Sequence, residues 1–133
     1  MSRTRRVGRA RRDAGAAVVD FVLVGTLVTF MFLGVVQLAT VLHVRNTLID
    51  CATEGARFGA LAGADLDAGA QRTRALITAD LSARYAEDVV ARRATVEGLD
   101  TVEVRVRAPL PVIGLLGAGR VVTVTGHAVA EPA

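Results

Sequence analysis

The chain has 133 residues, 52% of them apolar, with a mean hydropathy of +0.44 and a formal net charge of +3. That is one small unit, more apolar than an ordinary soluble domain. A single cysteine, Cys51, excludes an intrachain disulfide framework and a thiolate metal cluster, and His43 and His127 stand far apart with no Glu or Cys at ligand spacing, so neither metal nor other cofactor is expected.

Charge is unevenly spread. Residues 1–15 hold six arginines (Arg3, Arg5, Arg6, Arg9, Arg11, Arg12) against Asp13, and the remaining ten arginines face twelve acids. The basic charge is therefore a head group of about fifteen residues. No aromatic interleaves it and an apolar run follows at once, which favours a positive-inside flank over a nucleic-acid tail.

From Phe21 to Leu42 the sequence carries no charge, and its polar residues are Thr26, Thr29, Gln37 and Thr40. As a helix this run is about 33 Å long, one hydrocarbon thickness. Secretory signals have an apolar region of about 7–15 residues followed by a small-x-small cleavage site. Here the run is longer, and such sites (Ala60-Leu61-Ala62, Ala62-Gly63-Ala64) come well after it. The expectation is a retained span over residues 16–42, a cytoplasmic leader over 1–15, and a small extracytoplasmic α+β module over 43–133. The expected placement is single-pass in the inner (cytoplasmic) membrane, with the N-terminus inside.

Asp20 is the acid at the mouth of the run. It reads in two ways. An acid near a helix N-terminus is favoured by the dipole and the interface and needs no further role. Alternatively, Gly15, five residues earlier and lacking a side chain, gives an extended segment access to a narrow protease cleft. Cleavage there frees the amine of Ala16, and a carboxylate held among packed helices needs such a cation.

Residues 43–62 continue the helix outward. Ala52, Gly55, Ala56, Gly59 and Ala60 form a stripe of small residues at helical spacing. Such a stripe permits close backbone approach by the chain's own module or by another subunit. Glu54 and Arg57 are spaced to pair on the other face. Cys51 reads as a small packing residue, or as one half of an intermolecular bridge. A loop follows from Ala62 to Gly69, and a second helix is expected at about 69–86, opened by Asp67 or Gly69. Its inner face would carry Ile77, Leu81 and Tyr85. Strands follow: a weak one near 92–97, then Val102, Val104 and Val106 alternating with Glu103, Arg105 and Arg107, then Val122, Val124, Gly126 and Ala128 alternating with Thr123, Thr125 and His127. Together they predict a three-stranded antiparallel meander, with His127 solvated on its polar side. Between the last two strands, Val112, Ile113, Leu115 and Leu116 lie among prolines and glycines that forbid regular pairing. They fold back as a lid on the core, or dock on a membrane or partner.

Two stretches carry a resemblance. Gly15-Ala16-Ala17-Val18-Val19-Asp20-Phe21, after the Arg-rich leader, and Ala52-Thr53-Glu54-Gly55-Ala56-Arg57-Phe58-Gly59-Ala60, after the span, resemble the TadE-like family, pseudopilins and minor pilins of the Tad branch of type IV pilus systems. Members more often have Glu where Asp20 stands. The specific resemblance covers about residues 9–62, and the strand-rich end with its tail near Glu131 is similar in pattern only. It implies a non-enzymatic assembly component processed by a prepilin peptidase at Gly15–Ala16, with Asp20 and Phe21 completing the signal. The partners implied are the membrane, other pilins and Tad assembly proteins, with no nucleic acid. No nucleophile, phosphate-loop or His–carboxylate pattern points to catalysis. The other reading is an unprocessed single-span anchor whose outer module binds a secretion or envelope protein.

Overall fold

The computed structural model describes residues 4–63, 65–111 and 119–130, with side chains from residue 13 onward. The order of elements is α1 (Thr4–Leu61), α2 (Leu66–Asp80), a short 3-10 turn (Ala83–Tyr85), β1 (Asp88–Val96), β2 (Leu99–Pro109) and β3 (Val121–Val129). The chain is α+β. It divides into two compact units, Met1–Leu38 and Ala39–Ala133.

The first unit is helical from Thr4, and its apolar side chains from Val18 through Leu38 are exposed around the whole circumference. A helix that is apolar all round and unburied needs an apolar surrounding. The Thr26 and Thr29 hydroxyls donate to the carbonyls of Val22 (2.7 Å) and Gly25 (2.8 Å). Both are satisfied within the helix, as hydrocarbon requires. Among the described residues one helix, within Asp13–Leu61, is long and apolar enough to cross a membrane. Gly15 lies inside this helix. No proline interrupts residues 4–61, and Ala and Arg are good helix formers.

The second unit is two-layered. Val44, Leu48, Cys51, Ala52, Ala56 and Ala60 form the buried stripe of α1; Ala70, Thr73 and Ile77 form that of α2. They meet the inner face of an antiparallel sheet of order β1-β2-β3. Leu48, Ile77, Val102, Val104 and Val106 are the large, fully buried side chains. The period-two valines of β2 thus supply the centre of the core.

Several boundaries differ from the sequence expectation. α2 starts at Leu66, because the Asp65 carboxylate accepts from the Ala68 N–H at 3.1 Å and caps the helix two residues before Asp67. It stops at Asp80, where Leu81 leaves helical geometry and Ser82 is extended. Tyr85 is therefore on the 3-10 turn rather than a continuing helix. Its ring is buried, and its hydroxyl accepts from Arg84 Nη2 at 2.7 Å. β1 begins at Asp88, four residues before the expected start, because Val89 and Ala91 pair with Val106 and Val104. β1 and β2 are joined by Glu97 and Gly98, both at positive φ (52° and 81°), the two-residue turn that matches strand twist. The apolar connection residues Val112, Ile113, Leu115 and Leu116 lie outside the described residues, as does Glu131.

Candidate functional site

At the N-terminal site, α1 displays Gly15, Ala16, Asp20 and Phe21, all exposed, Phe21 at 79%. Ala16 and Asp20 are four residues apart and share a helix face, one turn from each other. The ion pairs among the described residues all lie on the sheet, and none engages Asp20. A Cβ added at Gly15 would meet nothing within 4 Å. The helix does not itself require glycine there.

The small-residue stripe has a different fate. Gly55 and Gly59 of α1 face Gly69 and Thr73 of α2, and the two helices cross with almost no side chain between them. A Cβ at Gly55 would overlap the Thr73 side chain and stand 2.8 Å from the Gly69 carbonyl oxygen. One at Gly59 would stand 3.0 Å from the Asp65 carbonyl oxygen. Thr73 is fully buried, and its hydroxyl donates to that Gly69 carbonyl at 2.9 Å. Ala52 and Ala56 are fully buried beside this crossing. Of the two occupants open to the stripe, the chain's own module fills it. On the opposite side Glu54 and Arg57 are exposed and form no ion pair with each other. Phe58 instead has Arg72 over its ring, 6.0 Å from the centroid. Cys51 is buried and free, its thiol 3.8 Å from Asp80 Oδ2. Its place in the helix–sheet core closes it to an intermolecular bridge.

Gly126 is a third close approach. A Cβ there would run into the backbone of Ala52 and Thr53. β3 thus rests directly on α1, and a strand position that reads as small from sequence is a contact point between layers.

The outer face of the sheet holds a group that sequence reasoning missed. Arg92, Glu103 and His127 fall in one transverse row, because Arg92 pairs with Glu103 and Glu103 with His127 in the strand register. Arg92 Nε donates to Glu103 Oε1 at 2.6 Å, and His127 Nε2 lies 3.0 Å from Oε2. Arg105 Nη2 approaches Oε1 at 3.4 Å. An ionised carboxylate only accepts, so the His127 nitrogen facing it carries the proton. Glu103 is covered, with its side chain 8% exposed, although it alternates with the core valines. The hydrogen bond from Arg92 holds its carboxyl below the usual value; burial opposes this, and the hydrogen bond from His127 adds to the lowering. His127 is thus an ion-row partner rather than a free solvated side chain. These residues lie 11 and 24 positions from Glu103 in sequence. Only the register brings them together. Among the described residues no three His, Cys, Asp or Glu side chains converge as metal ligands do.

Residues 15–57 match the model of the TadE-like protein family. The chain carries a TadE-like segment. The match begins at Gly15, runs through Asp20, Phe21 and the apolar helix, and ends at Arg57 within the helix crossing. The sheet and its ion row lie beyond the TadE-like segment. No curated protein and no solved structure matches the chain.

Proposed function

We propose that this protein is a TadE-like pseudopilin or minor pilin, held in the cytoplasmic membrane by α1 and taking part in assembly of a Tad-type pilus or related secretion apparatus. The observation that carries the reading is the family match that starts at Gly15 and includes Asp20 and the apolar helix. The arginine-rich leader stays in the cytoplasm and the α+β unit stands outside. A prepilin peptidase cleaves between Gly15 and Ala16. In the mature helix the Ala16 ammonium and the Asp20 carboxylate share a face one turn apart, so each can pair with its counterpart on a neighbouring pilin. That charge pairing fixes the axial register of helices whose apolar surfaces would otherwise slide past one another. The role is structural, and no reaction is assigned to the chain's own residues.

Replacing Gly15 tests the reading. Because nothing surrounds that position, Gly15→Trp leaves the chain's packing unchanged while blocking the protease cleft. The variant migrates as the longer precursor on a gel when the wild type runs as the shorter mature form. Equal mobility of the two contradicts processing at this site.

A second reading, an unprocessed anchor whose outer unit binds a secretion or envelope protein, is favoured by one observation. The helix runs without a break through Gly15, and a protease needs that turn unwound.

A further inference from the structure

Within the second unit, two contacts fix how β3 lies along α1. A Cβ at Gly126 would meet the backbone of Ala52 and Thr53. Further along both elements, Ala128 and Val129 line one hollow with Arg57, Ala60 and Leu61. β3 and α1 therefore run the same way. Followed back from Gly126, the strand to Val121 covers about 17 Å, the rise of about eleven helical residues. The start of β3 thus stands level with about residue 41 of α1. Burial agrees. Val44 is buried and Val41 half-buried on the same helix stripe as Leu48 and Ala52, and Val122 packs on the same core.

That level is where the apolar run of the sequence ends. Its last residue is Leu42, and the first charge after it is Arg45. β2 ends at the same level, because Pro109 pairs with Val121 and the Leu110 N–H donates to the Arg120 carbonyl at 2.9 Å. β1 starts there too, with Asp88 opposite Arg107. The Glu97-Gly98 turn closes the other end of the sheet.

Between Leu110 and Arg120 the sequence reads Pro-Val-Ile-Gly-Leu-Leu-Gly-Ala-Gly, without one polar side chain. At the strand ends that hold this connection, exposed Pro109 and Val121 border a hollow with Arg84, Arg107, Glu87 and Asp88, and Arg120 is exposed next to Val121. An apolar connection with arginines at its root suits a lipid interface. Apolar side chains enter the acyl boundary, and guanidinium groups reach headgroup phosphates. A protein partner does not require the connection to start level with Leu42; a bilayer crossed by α1 does.

We propose that the β2–β3 connection, residues 111–119, inserts into the outer interface of the membrane that α1 crosses, a second attachment of the α+β unit to lipid. Prolines and glycines forbid regular pairing in the connection. It therefore belongs at the headgroup–acyl boundary rather than in the hydrocarbon core, where every backbone group must be paired. The proposal rests on the membrane placement of α1 and is independent of processing at Gly15.

Fluorescence of the full-length chain in phosphatidylcholine vesicles tests it. The protein has no tryptophan, so a single introduced one reports its own surroundings. The variants are Leu115→Trp in the connection, Phe30→Trp in the apolar helix, and Val96→Trp, exposed at the far end of the sheet. Emission of Leu115→Trp is shifted to the blue and falls about two-fold with lipid brominated near the headgroup end of its chains, the depth of an interfacial segment. Lipid brominated near the chain ends quenches it less, and for Phe30→Trp that order is reversed. Val96→Trp is quenched by aqueous iodide and by neither lipid. Val112→Trp repeats the Leu115→Trp pattern. Iodide quenching of Leu115→Trp equal to that of Val96→Trp puts the connection in water and overturns the proposal. Shielding from both iodide and lipid makes it a lid on the core and overturns it too. In either case, lipid quenching of Phe30→Trp leaves the span standing. Without that quenching, the membrane placement and the proposal fall together.

Discussion

Glu103 lies midway across the sheet, between Arg92 on one neighbouring strand and His127 on the other, and is nearly covered by them. A covered carboxylate persists only where its acceptors are filled, and here Arg92 supplies the strongest contact. The consequence for pH has a definite sign. The folded state holds the Glu103 carboxyl below its ordinary value of 4.5. Its contribution to stability is complete above that value and is lost as pH falls through the depressed folded value. In thermal melts followed by circular dichroism, Tm of the wild type drops as pH is lowered through the acid range, and Glu103→Gln shows a lower Tm near neutrality with a shallower acid-side fall. Parallel pH profiles for the two chains contradict this account. Glu97 makes the opposite kind of prediction. A left-handed φ of 52° on a side chain that does not favour it costs about 1 kcal/mol. Asn is the preferred residue before Gly in such a turn. Glu97→Asn raises stability by about 0.5–1 kcal/mol in chemical denaturation; a loss on substitution contradicts it.

At the scale of elements, legibility in the sequence followed the strength of periodic signals. The valines at 102, 104 and 106 fall on one face only if the segment is a strand, and they are the buried centre of β2. β3 is similarly plain. β1 was harder to bound because Val89 and Val90 are adjacent apolar residues and Arg92 and Arg93 adjacent basic ones. Period two is blurred there, and pairing with β2 decides the start. The end of α2 was hidden for a related reason: Ile77, Leu81 and Tyr85 keep helical spacing across a real break at Leu81 and Ser82. Helical spacing exposed the small residues of α1, but not their partner. Whether Gly55 faces its own α2 or another molecule depends on the crossing with Gly69, which no local pattern encodes. The ion row was likewise invisible, since cross-strand register and not sequence proximity assembles it. Gly126 offers the cleanest test of how the layers meet. Its missing Cβ leaves room for the backbone of Ala52 and Thr53, and a backbone cannot turn aside as a flexible side chain does. Gly126→Ala destabilises the α+β unit by about 3 kcal/mol, seen as a lower denaturation midpoint. A change below about 0.5 kcal/mol contradicts direct contact of β3 with α1.

For the molecule as a whole, the two units have different solvents. The first has apolar side chains exposed on every side, which is unfavourable in water and natural in lipid. The second closes a core of its own from α1, α2 and the sheet. The TadE-like segment runs through both in sequence, from Gly15 to Arg57, and the proposed assembly role rests on what happens at its beginning. Intact-mass and N-terminal peptide mass spectrometry of the protein recovered from a host with an active prepilin peptidase measures this directly. The account predicts a chain that begins at Ala16, with the arginine leader gone. A mature protein that retains residues 1–15 in that host contradicts it.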